Sequence, residues 1–210
     1  MRRAVVGLAA AACVLGLAVA ASASPVTLTF VNPALPGNIY QQTVNHPCVI
    51  GDPSCHNPSG MPYTSESGPS QSGTYDLLSP TYTVGQLTTL FGESAFKVGI
   101  DVNWANKPEI MQLFEVLING NVAFNYVGPT TFAAQNNGNG YSDALLTGIN
   151  LTSFASTDTI AFHAVWSNDS DGMEEYFLIP ESAPAVPEPA TMLLLGTGLV
   201  GAARFARRRR

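Results

Sequence analysis

The sequence predicts an all-β protein: a single antiparallel β-sandwich, jelly-roll-like, formed by the middle of a 210-residue chain. Three observations carry that expectation. No stretch of the middle shows the apolar spacing of an amphipathic helix. Short runs of β-branched and aromatic residues recur there, each bounded by Gly, Pro, Asn or Asp. The two long apolar stretches stand at the ends, outside any core this middle would build. Eight or nine strands without intervening helices fit two packed sheets.

The N-terminal end reads as an export signal. Met1-Arg2-Arg3 is basic, Ala4 to Ala20 is apolar, and Ala21-Ser22-Ala23 offers small residues to a signal peptidase. Residues 1–23 are therefore expected to be a Sec signal peptide, and Cys13 is expected to leave with it. The sandwich is expected over residues 24–181. Val26 to Val31, Thr74 to Leu78, Thr81 to Thr89 and Ala95 to Asn103 read as strands. In the last of these, Phe96, Val98, Ile100 and Val102 share one face; Lys97, Gly99, Asp101 and Asn103 share the other, expected to be wet. Asn32 to Pro80 is rich in Pro, Ser, Gly and Asn and reads as mostly loop.

Gln112 to Val127 is the clearest hairpin, reversing at Asn119-Gly120-Asn121, because Asn and Gly both tolerate positive φ. Ala144 to Leu151 is a further strand. Thr159 to Trp166 and Glu175 to Ile179 flank Asn168-Asp169-Ser170-Asp171-Gly172 and read as a second hairpin.

Charge separates the body from its ends. Between Ser24 and Val186 the basic residues are Lys97 and Lys107, against fourteen acidic ones, so the body carries 2 − 14 = −12. Such a surface repels phosphates, which argues against a nucleic-acid partner. Cys48 and Cys55 bracket a Gly- and Pro-containing loop, and in an exported chain a disulfide is the expected pairing. The competing reading is zinc, held by His46, Cys48, Cys55 and His56 with Asp52 between them.

At the other end, Ser182 to Pro189 is a Pro/Ala-rich spacer, 182–189, that cannot form a regular helix. From Ala190 to Ala206 the only charge is Arg204, and Arg207, Arg208, Arg209 and Arg210 follow. Residues 190–210 read as a short transmembrane helix with an arginine-rich cytoplasmic stop, which places the body outside the cytoplasm. The succession Pro187-Glu188-Pro189, short apolar span and terminal arginines resembles the PEP-CTERM sorting signal, over Val186 to Arg210. The resemblance implies recognition by an exosortase-type membrane protease, with processing near Pro187-Glu188-Pro189. It implies transit through the inner membrane facing the periplasm, then placement at the cell surface or in the extracellular matrix. It also implies a setting of exopolysaccharide. The same signal is known as the ice-binding protein C-terminal domain, a label that says nothing of this body. More loosely, Phe96 to Asn103, Asn137 to Tyr141 and Asp171 to Phe177 are similar to the bodies of other PEP-CTERM proteins.

The search for chemistry is mostly negative. No G-x-S-x-G, H-E-x-x-H or phosphate-cradling glycine motif is present. His163 sits between Phe162 and Ala164 in a strand, as a packed or edge residue. Asp101 with Glu93, or Glu174 with Glu175, would serve glycosidase chemistry only if folding brought the two carboxylates about 5–9 Å apart. Asp169, Asp171 and Glu174 form the best cation candidate, a calcium loop, with a plain acidic turn as the alternative. The function expected is non-catalytic: a structural or binding protein of the extracellular polysaccharide or biofilm matrix. Trp104, Tyr126, Tyr141 and Trp166 are candidate sugar-stacking residues. An exported glycan hydrolase of sandwich fold is the alternative. Ice binding is the third reading, and the Thr residues show no repeat that would support it.

Overall fold

A computed structural model describes residues 22–32, 39–65, 73–103, 108–133, 137–169 and 174–184. The expected signal peptide to Ala21, Trp104, Lys107, Asp171, the Pro187-Glu188-Pro189 motif and the apolar tail lie outside the described residues. Among the described residues no helix is long and apolar enough to cross a membrane.

Among the described residues the body is all-β, with one short helix and two open sheets. The first sheet is ordered β1 (Ser24–Pro25), β9 (Asn121–Phe132), β8 (Glu109–Ile118), β11 (Thr159–Asp169) and β5 (Gly73–Leu78), with β6 (Tyr82–Thr83) also on β11. The second is ordered β2 (Thr27–Phe30), β10 (Ala144–Asn150), β7 (Ala95–Asp101), β12 (Glu175–Pro180), β3 (Cys48–Gly51) and β4 (Thr64–Ser65). Pairing is antiparallel except at the short flanks, where β1 runs parallel to β9 and β4 parallel to β3.

Aromatic side chains join the two sheets. Phe114 of β8 stacks on Tyr176 of β12 with centroids 5.7 Å apart, and Phe96 of β7 meets Phe162 of β11 edge-on at 6.1 Å. Offset-stacked and edge-to-face pairs of this kind contribute beyond their buried area. The hairpin predicted around Asn119-Gly120 is present as β8 and β9, and both turn residues take the positive φ that motivated it, 50° and 76°.

Three expectations are corrected. Residues 81–89 are not one strand: β6 is two residues long, and Val84–Phe91 form helix α1. Thr83 caps it, its hydroxyl accepting from Gln86 N–H while the Gln86 side chain accepts from Thr83 N–H. Gly92 ends it in the left-handed conformation, φ 71°. Val84 and Leu87, three apart, turn into the core.

Second, β11 and β12 do not form a hairpin. They lie in different sheets, β11 against β5, β6 and β8, and β12 against β7 and β3. The turn-like sequence between them gave a local signal, but the aromatic faces of the two strands are satisfied across the core rather than side by side.

Third, the outer face of β7 is not wet. Gly99 and Asp101 are buried along with the inner residues. A second apolar cluster of Val31, Ile39, Tyr40, Cys48, Leu145, Phe177 and Ile179 lies over that side of the second sheet, with Cys55, Tyr63 and Tyr141 packed against it.

Candidate functional site

The cover over the second sheet comes from residues 39–63, expected to be mostly loop. The segment is tied at both edges by backbone bonds. Gln42 N–H donates to Gly140 O at 2.7 Å, Ser142 N–H to Tyr40 O at 2.9 Å, and Leu178 N–H to Pro47 O at 2.9 Å. Inside it, Asn57 closes the loop: its Oδ1 accepts from Cys48 N–H and its Nδ2 donates to Cys48 O, both at 2.8 Å. Cys48 and Cys55 form the expected disulfide, with S–S 2.02 Å. That bond consumes both thiolates the zinc reading required, and the His46 ring nitrogen Nδ1 faces Gln41 O at 2.8 Å instead.

Under the cover lies a cluster of carboxylates. Asp101 and Glu175 are directly opposed on β7 and β12, so their side chains leave the sheet on the same side. Asp143, at the foot of β10, joins them. Its Oδ2 accepts from Val102 N–H at 2.9 Å and its Oδ1 from Asn137 N–H at 2.8 Å. Asp101 Oδ2 accepts from Gly140 N–H at 2.5 Å, and the Asp143 carboxyl is one of the neighbouring charges that act on it. Glu175 reaches Ser54 and Asp52 of the cover, and one carboxylate oxygen lies within 4.8 Å of both disulfide sulfurs.

Burial disfavours the charged form of all three. It pushes Asp101 to about 8, against the Gly140 bond and with the nearby charges of Asp143 and Glu175 adding to it. It pushes Asp143 to about 6, held lower by the bonds from Val102 and Asn137. It pushes Glu175 to about 7, with the Asp52 charge adding to it.

A second constellation lies on the outer face of the first sheet. His163 of β11 donates from Nδ1 to Glu115 Oε2 at 2.8 Å and from Nε2 to Asp76 Oδ1 at 2.7 Å. Both bonds together require the imidazolium. Burial works against that charge, but the bonds to Glu115 and Asp76 outweigh it and raise the His163 pKa above its ordinary value. His163 was expected to be packed or at an edge; its two carboxylate partners come from β8 and β5, and only strand order reveals them.

The structure separates both glycosidase pairs. Glu93 precedes β7 and takes Ser182 N–H and Oγ at 3.1 and 2.8 Å, while Asp101 ends that strand, which puts the pair roughly 25 Å apart. Glu174 and Glu175 diverge: Glu174 Oε2 accepts from Asn103 N–H at 2.7 Å. Asp169 ends β11 opposite Gly73. Trp166 is buried in the core and is no platform. Tyr126 and Tyr141 are half-buried, the Tyr126 hydroxyl paired with that of Thr130.

Comparison with known proteins locates one signal. Residues 185–210 match the family model of the PEP-CTERM protein-sorting motif. No curated protein and no solved structure matches the chain. The match coincides with the stretch whose order of Pro187-Glu188-Pro189, apolar run and arginines singled it out. That motif is a sorting signal recognised by exosortase, and it marks the protein as exported and surface-sorted. Residues 185–210 thus carry a PEP-CTERM protein-sorting motif, behind an all-β body.

Proposed function

We propose that this protein is a non-catalytic structural or binding component of the extracellular polysaccharide or biofilm matrix, delivered there by its C-terminal motif. The observation that carries the reading is the motif at residues 185–210 following an all-β body. On this reading the body is a β-sandwich, exported through Sec and held briefly in the inner membrane by the apolar tail before exosortase acts. The body supports a cohesive role in three ways. A disulfide locks its cover. Buried aromatic pairs join its sheets. Its strong negative charge keeps it soluble among anionic or neutral polymers. Calcium held by Asp169, Asp171 and Glu174 would tie the end of β11 to the start of β12 and stiffen the body.

The test is co-sedimentation of the full chain with exopolysaccharide purified from its own host, with and without millimolar calcium. Retention on that polymer, and not on a neutral control such as dextran, is the expected result. Failure to associate in either condition removes the matrix reading, and hydrolysis of the polymer replaces it with a glycan hydrolase.

A further inference from the structure

A carboxylate stands against the disulfide, and a disulfide has no proton to offer it. Glu175 places one carboxylate oxygen within 4.8 Å of both Cys48 Sγ and Cys55 Sγ. The residue is 5 % exposed, and its Oε2 is buried without a hydrogen-bond partner. Its Oε1 takes a long bond from the Ser54 hydroxyl, at 3.5 Å. A buried acceptor left open destabilises the fold, so its position calls for a partner that the oxidised loop does not supply.

The backbone beneath these side chains is shaped for their convergence. A Cβ on Gly51 of β3 would stand 2.5 Å from Cys55 Sγ, 3.4 Å from Cys48 Sγ and 3.5 Å from Glu175 Cγ. A residue with a side chain at 51 would push the three apart. Two sulfurs and a carboxylate oxygen, all within 4.8 Å of one another, are the donor set of a borderline-soft divalent cation.

We propose that Cys48, Cys55 and Glu175 form a redox-gated site for zinc or a cation of its class, closed while the disulfide stands and opened when a dithiol reduces it.

The chemistry balances. One thiolate of the dithiol attacks Sγ of Cys55, the half-buried member of the pair; the S–S bond breaks and its electron pair goes to Cys48 Sγ, which takes up a proton. The second thiol of the reductant then attacks the mixed disulfide, closing the dithiol into its own disulfide and freeing Cys55. The chain gains two electrons and two protons, and the dithiol loses the same. Cation binding releases one proton from each thiol to solvent. Two thiolates and a carboxylate hold three corners of a tetrahedron, and water takes the fourth. Sulfurs on one tetrahedral zinc stand about 3.8 Å apart, so a small opening of the loop suffices.

The loop is held in place without the S–S bond. Cys48 lies in β3 opposite Phe177, and Asn57 grips both its N–H and its O at 2.8 Å. Cys55 N–H donates to Asp52 O at 3.3 Å, and Ser54 N–H to Asp52 Oδ1. The two neighbouring histidines stand outside the set: His46 Nδ1 faces Gln41 O, and no His ring joins the three donor atoms. The site therefore differs from a two-cysteine, two-histidine centre in a way that substitution can read.

The test is a cobalt(II) titration, followed by displacement with zinc, on the full chain in detergent micelles. Cys13→Ser is carried throughout so that Cys48 and Cys55 are the only thiols. A phosphine reductant opens the disulfide without adding a competing thiol. One equivalent of cobalt is expected in the reduced chain, with tetrahedral d–d bands and a sulfur-to-metal charge-transfer band that zinc abolishes; the oxidised chain is expected to show neither. Glu175→Gln is expected to weaken binding about tenfold or more, since loss of a ligand costs at least what loss of a partner behind it does. His46→Ala with His56→Ala is expected to leave binding unchanged. No binding by the reduced chain, or full affinity in Glu175→Gln, overturns the proposal. Should Glu175→Gln fail to fold, the histidine variant decides: retained affinity supports the site, and lost affinity overturns it.

Discussion

The indole N–H of Trp166, on β11, donates to the hydroxyl of Tyr176, on β12, across the joint between the two sheets. Both side chains are buried, and the Tyr176 ring also stacks on Phe114 with planes 8° apart. Tyr176 is thus held by one sheet, stacked on the other, and hydrogen-bonded through its only polar atom. Tyr176→Phe keeps the stack and strands the indole N–H. It is expected to cost about 1–3 kcal/mol, visible as a lower urea midpoint with an unchanged slope. Trp166→Phe in the same background is expected to cost less than it does alone, because the donor is already unsatisfied.

Gly99 explains a glycine in the middle of a strand. A Cβ there would stand 2.5 Å from the Phe177 ring and 3.0 Å from Ile179 Cδ1, and both side chains are fully buried under the cover. Gly99→Ala is expected to destabilise by about 1–3 kcal/mol through overpacking. Phe177→Leu should recover part of that loss, so a double-mutant cycle with positive coupling is the check.

The disulfide closes a loop across a sequence separation of 7. Cys48→Ser together with Cys55→Ser is expected to cost about 2–3 kcal/mol from the unfolded-chain entropy of that loop. Calorimetry with and without a thiol reductant measures it. The reductant should lower the melting temperature of the wild type and leave that of the double variant unmoved.

His163 gives a pH dependence of its own on the other sheet. Its pKa is raised, so the stability its two ion pairs contribute is fully present below about 6.5 and is lost as pH rises through the higher folded value. Asp76 is largely exposed, which keeps the contribution under about 1 kcal/mol. Glu115→Gln is expected to lower the His163 midpoint in a proton NMR titration. An unshifted midpoint would show that the bond to Glu115 is not what holds the charge.

Part of this was legible in the residues alone. The β8–β9 hairpin was, because Asn119-Gly120 is a local instruction that needs no partner elsewhere. The disulfide was, because two cysteines in an exported chain leave one pairing. The sorting motif was, since its order of elements is contiguous. Helix α1 was misread because Val, Thr and Leu in a short window suit strand and helix alike; the signals that decide it, Thr83 with Gln86 and then Gly92, lie at its ends. The buried carboxylates were misread for a different reason. Alternation along β7 assigns Lys97, Gly99 and Asp101 to one face correctly, but it does not say that a segment some fifty residues earlier returns to cover that face. The Asp76–His163–Glu115 constellation depends on strand order, and no local pattern encodes that.

Exosortase acting on the C-terminal motif would leave its mark in the mass of the mature protein from its native host. The expected C-terminus lies near Pro187, with Arg204 and the four terminal arginines gone. A mature protein that still ends in intact Arg210 would contradict it and leave the tail a plain anchor.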